Sequence, residues 1–141
     1  MPAIQFFEED ISYKLKKKTA VRKWITDTIF AEGFKLDELT YVFCSDEYLL
    51  QINQQYLDHD TYTDIITFDN SEVKGTITGD IFISVERIKE NAAKFVVTET
   101  HELHRVMIHG ALHLLGYKDK SAADKKKMTL KEDHYLGERN F

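Results

Sequence analysis

TETHELHRVMIHGALHLLGYKDKS, residues 98–121, is the stretch on which the reading of this chain turns. Leu103, Val106, Met107, Gly110 and Leu114 recur every three or four residues, the spacing of one helix face. That stripe predicts a packed helix over 98–115, and Gly116 stops it as a glycine does just past a helix C-terminus. His109 and His113 stand four apart on the same helix, which brings their Cβ atoms to about 5–6 Å. Two imidazoles so placed can converge on one ion at about 2.0–2.1 Å. The chain then turns through Tyr117 and Lys118, and Asp119 arrives three residues past the break. A third ligand at that return point would complete a three-ligand site with one open position. Ser121-Ala122-Ala123-Asp124 has the form of a capping box, so the final helix starts there and Asp119 falls in a short, constrained turn.

Outward from this segment, the pattern alternates between strands and helices. Short strands are expected at 4–7, 39–44, 65–68 and 80–84. Helices are expected at 19–32, from Ser45 through Tyr56, and at 85–94 and 121–136. Ser45 is the N-cap of the second helix, with Asp46 and Glu47 in its first turn. Residues 58–63 are polar and turn-like. Strands and helices in the order β-α-β-α-β-β-α-α-α predict an α/β (α+β) fold. Its expected form is a small mixed sheet of about four strands, helices on its faces, and a metal site at the end of a central helix. The 141 residues are the length of one domain, 1–141. A domain of this size buries about 68–70% of its unfolded surface and folds without a disulfide or a structural ion.

Composition narrows the function. Hydrophobic residues make 43% and charged residues 30% of the chain, which excludes general disorder. A single cysteine, Cys44, excludes a disulfide framework, and its place after Tyr41-Val42-Phe43 marks it as a buried, inert thiol. The net charge of -5 argues against a general nucleic-acid coat, DNA included. Lys14 to Lys23 and Lys125 to Lys127 are read first as solvated helix faces. No signal-peptide pattern opens the sequence and no apolar run could span a bilayer, so a cytoplasmic, membrane-free protein is expected.

Other histidines test the reading. His101-Glu102-Leu103-His104 begins like a zinc-protease helix, but Arg105 stands where a second histidine is needed at the fifth position. His101 and His104 are therefore read as polar residues of the first turn, and His59 and His134 as surface residues. After His109 comes Gly110, so this helix has no glutamate to act as a general base.

His109-Gly110-Ala111-Leu112-His113-Leu114-Leu115-Gly116-Tyr117 resembles the signature of the YbeY family of bacterial metal-dependent endoribonucleases, which mature ribosomal RNA. Thr63-Asp64-Ile65-Ile66-Thr67-Phe68 resembles the family's threonine-aspartate strand, and Gly79-Asp80-Ile81-Phe82-Ile83-Ser84 its glycine-aspartate strand. Asn53 to Tyr56 fits the segment before them, so the likeness covers residues 50–120 in order. The resemblance implies a zinc-dependent endoribonuclease acting on ribosomal RNA or the ribosome, with His109, His113 and Asp119 as ligands. Two departures stand out. Asp119 occupies the place of the family's third histidine ligand, and two histidines with one carboxylate suit other divalent metals besides zinc. Leu57 stands where the family commonly carries an arginine implicated in catalysis, and Lys118 or Lys120 beside the metal turn are the candidates to contact substrate instead.

Asp64 opens a strand, where it either points into a cleft as base or substrate contact or caps the turn. Asp80, beside Gly79 at the expected start of a strand, reads as a structural turn residue. The expected reaction is hydrolysis of an RNA phosphodiester by a metal-activated water. A metallopeptidase-like hydrolase and a non-catalytic ribosome-assembly factor with a structural metal are the alternatives.

Overall fold

A computed structural model describes residues 3–57 and 63–141, with the Leu57 side chain excepted. His59 and most of the polar turn expected at 58–63 lie outside the described residues. The elements run β1 (Ile4–Glu8), α1 (Lys18–Ala31), β2 (Lys35–Cys44), α2 (Asp46–Leu57), β3 (Ile65–Asp69), β4 (Thr76–Ser84), α3 (Val85–Phe95), α4 (Glu99–Leu114) and α5 (Ala122–Gly137). This is the expected order. The four strands form one mixed sheet in the order β1-β2-β4-β3, parallel except for β3, which runs antiparallel to β4. Because β2 and β4 lie side by side and parallel, α2 and β3 form the excursion between them. Tyr41–Cys44 of β2 is buried throughout, as a central parallel strand requires.

Two strands begin earlier than their composition predicts. Lys35–Glu38 extends β2 through a register irregularity between Leu36 and Glu38, and Thr76–Thr78 extends β4 beside it. Gly79 and Asp80 therefore sit inside β4 and not at its start, which corrects the turn role expected for Asp80. Asp80 instead ties the sheet edge, accepting a hydrogen bond from Asn70 Nδ2 at 3.1 Å.

The sheet has a thick and a thin side. On one side α1, α3, α4 and α5 close the main core, where Tyr41 is fully buried and its hydroxyl donates to Met107 O at 2.8 Å. On the other, α2 covers a smaller cluster of Cys44, Leu49, Ile52 and Ile66. Burial pushes the Cys44 thiol up to about 12, as suits an inert core residue. The approach of α4 to the sheet depends on Gly110. A Cβ there would come within 2.8 Å of Ile65 Cδ1 and 3.0 Å of Ile81 Cδ1. The glycine lets α4 lie directly on β3 and β4, and its neighbour His109 is thereby held at the margin of the packed face.

Candidate metal centre

Both helices that frame the centre have well-made ends. Thr98 caps α4 by accepting from His101 N. At the other end Gly116 N–H donates to His113 O at 3.0 Å and Tyr117 N–H to Leu112 O at 3.1 Å. This paired closure needs a left-handed residue, which Gly116 supplies with φ of 107°. The predicted capping box of α5 is present, with Ser121 Oγ accepting from Asp124 N at 3.0 Å. Asp119 is thus carried in a turn fixed on both sides.

That turn delivers Asp119 to the two histidines. Asp119 Oδ2 lies 3.5 Å from His109 Nε2 and 3.3 Å from His113 Nε2. Two ligands each bonded at zinc-like distances around a tetrahedral centre stand about 3.3–3.5 Å apart, so the spacing fits one shared ion. One ligand atom from each of the three residues lies within 4.8 Å of the others.

The far side of His109 is wired as well. His109 Nδ1 meets Glu132 Oε2 at 2.5 Å, which places the ring proton on Nδ1 and leaves the Nε2 lone pair facing Asp119. Glu132 is buried, and its other oxygen accepts from Arg105 Nη1 at 2.8 Å, while Arg105 Nη2 reaches Asp133 at 2.6 Å. Burial works to lower the basicity of His109. The hydrogen bond and charge of Glu132, then the charges of Asp119 and Asp64, outweigh it and raise the imidazole above its ordinary value.

A cavity of about 340 Å³ opens here, lined by Asp64, Glu102, Arg105, Val106, His109, Asp119 and Glu132. Four carboxylates face one guanidinium across it, a balance that repels a phosphate until a cation is added. Burial, opposed by His109, raises the Asp64 carboxyl; burial and then Asp64 raise that of Glu102. A somewhat larger hollow of about 390 Å³ under α2, lined by Tyr48, Phe68, Phe82 and Asp80 among others, contains no histidine.

Sequence reasoning and geometry meet at His109, His113, Asp119 and Asp64. Lys118 and Lys120 are exposed on the same turn, outside the cavity lining. His134 is exposed as expected, while His104, expected in the first turn of α4, lies beyond it and is buried. It packs against Trp24 and Phe141 and accepts from Arg139 Nη1 at 2.8 Å. Glu132, Arg105 and Glu102 were missed. For Glu132 the signal lay in a carboxylate placed on an apolar stripe, since it shares a face of α5 with Met128, Tyr135 and Leu136.

Known proteins resemble this chain along nearly its whole length. A family profile described as Endoribonuclease YbeY matches residues 3–140. A protein named Endoribonuclease YbeY from Cytophaga hutchinsonii is 55% identical over 98% of this chain and 96% of its own. One of the same name from Flavobacterium psychrophilum is 50% identical over 92% of each. The solution structure of a Thermotoga maritima protein superposes with a TM-score of 0.65 at 27% identity, covering 96% of this chain and 87% of that one. With a profile match across nearly its whole length and half its residues shared with named relatives, the chain belongs to the YbeY endoribonuclease family.

Proposed function

We propose that this chain is a zinc-dependent endoribonuclease that hydrolyses phosphodiesters of single-stranded RNA in ribosomal RNA processing, ribosome maturation and quality control, and that it works in the cytoplasm. The observation that carries the metal reading is the 3.3–3.5 Å spacing of His113 and His109 about Asp119 Oδ2, with Glu132 holding the back of His109. Among the described residues no helix is long and apolar enough to cross a membrane.

His109, His113 and Asp119 would hold the ion. The chemistry an ion would supply there is Lewis acidity toward a phosphoryl oxygen and a lowered pKa for an attacking water. Glu132 keeps the His109 proton on Nδ1, so Nε2 stays a donor of electrons. Asp64, on the wall of the same cavity, would take the proton of the attacking water, and the leaving oxygen would regain a proton through solvent as the P–O bond breaks. Lys118 and Lys120, on the rim turn, contact neighbouring phosphates.

Metal analysis of the purified protein alongside cleavage assays tests the reading. One ion per chain is expected, with chelator-sensitive cleavage of RNA and no cleavage of a casein-like peptide. Peptide cleavage assigns a metallopeptidase. Bound metal and RNA binding without cleavage assign an assembly factor.

A further inference from the structure

Asp119 differs from its two partners in how it is held. The histidines ride on α4, whereas Asp119 sits between helices with a side chain 43% exposed. Its position depends on the turn, and two residues earlier the turn is bolted to a distant part of the chain. Tyr117 Oη donates to Glu32 Oε1 at 2.5 Å, across 85 positions of sequence. Glu32 Oε2 accepts from Lys131 Nζ at 3.1 Å and from the Tyr135 hydroxyl, both on α5. The Lys127 and Lys131 ammonium groups stand 5.6 and 5.7 Å from the centre of the Tyr117 ring.

Glu32 gains nothing from its own helix. It is the C-cap residue of α1, where the helix dipole disfavours a carboxylate, and its side chain is only 10% exposed. Its three donors come from the metal turn and from α5, and none from α1. A largely covered anion in an unfavourable helical position, with its side-chain donors on those two segments, is a tie between them.

We propose that Glu32, acting through Tyr117, is a positioning residue that sets the turn carrying Asp119 and so tunes metal affinity from outside the centre. This rests on the metal reading above. Tyr135 supplies the control, because its hydroxyl meets the same carboxylate from α5 without touching the turn. The α5 backbone at that residue is independently held, since Trp24 Nε1 donates to Tyr135 O at 2.7 Å.

The test is zinc affinity of the full-length apo protein, measured by competition with a chromophoric chelator, with thermal unfolding recorded in parallel. Tyr117→Phe and Glu32→Ala are each expected to weaken zinc about tenfold, the lower end for groups that orient metal ligands. The double variant is expected to lose no more than either single one, because both break one link. Tyr135→Phe is expected to lower the unfolding temperature while leaving affinity within about twofold of wild type, its link lying outside the turn. Unchanged affinity in Tyr117→Phe, additive losses in the double variant, or an equal loss in Tyr135→Phe overturns the positioning role. Failure of the wild-type apo protein to take up zinc overturns the metal reading itself and the proposal with it.

Discussion

Helix α4 carries two histidine pairs with opposite fates. His101 and His104, near its start, face Arg139, whose guanidinium reaches both rings at 3.3 and 2.8 Å. His109 and His113, near its end, face Glu132 and Asp119. Burial, then Arg139, push His104 down to about 4, so it is a neutral core imidazole between Trp24 and Phe141. His109 is partly buried, and its carboxylate neighbours carry it the other way. One helix therefore shows a histidine made structural by burial and a cationic partner, and another made ready for a cation by anionic ones. The residue type is the same; the sign of the neighbour decides.

The widest gap between the pairs is expected in metal binding. His109→Ala and His113→Ala should each abolish zinc uptake while unfolding stays cooperative, and His101→Ala should change nothing, as isothermal titration would read. Asp119→Ala should weaken zinc by at least about 100-fold, beyond the usual effect of groups that only support ligands. Asp119→His should retain the site and shift preference from manganese toward zinc.

Acid should separate the pairs in stability. The unfolded chain protonates His104 near 6.5, but the folded chain does so only near 4. Between these values the unfolded state binds more protons, so its stabilising contribution is complete above 6.5 and is lost as pH falls toward 4. The loss amounts to at most about 3 kcal/mol. Denaturant unfolding from pH 7 to 4 reads this, and His104→Phe should flatten the decline.

Glu132→Gln sharpens the contrast more gently. Gln cannot hold the Nδ1 proton as a carboxylate does, and zinc affinity should fall by about 10–100-fold with both histidines in place. Smallest is the effect of Lys118 and Lys120. Replacing either with Gln should flatten the salt dependence of single-stranded RNA binding by about 0.7 per lost phosphate contact. An unaltered slope would remove them from the substrate path.

Much of this was legible because the informative residues are local. His109, His113 and Asp119 lie within one helix and its exit turn, and the periodicity and Gly116 placed them without tertiary knowledge. The first half of β4 was not legible, because Thr76–Thr78 is recognisable as a strand only through its pairing with β2. The parts played by Glu132 and Arg105 were illegible for the same reason. Their roles exist only once α5 lies against α4, and a carboxylate on a helix otherwise reads as a solvated charge. Glu32 is the extreme case, since its partners lie 85 to 103 residues away.

The order of elements along the chain has a consequence for synthesis. All four strands precede residue 85, and every proposed ligand follows it. At about 5–20 residues per second, the 35 residues from Ser84 to Asp119 take roughly 2–7 seconds to emerge. Until α4 is made, Ile65 and Ile81 lack the helix that packs on them at Gly110. The helix that carries His109 and His113 is therefore also the one that lies on β3 and β4, so this part of the core and the proposed centre are completed by the same element.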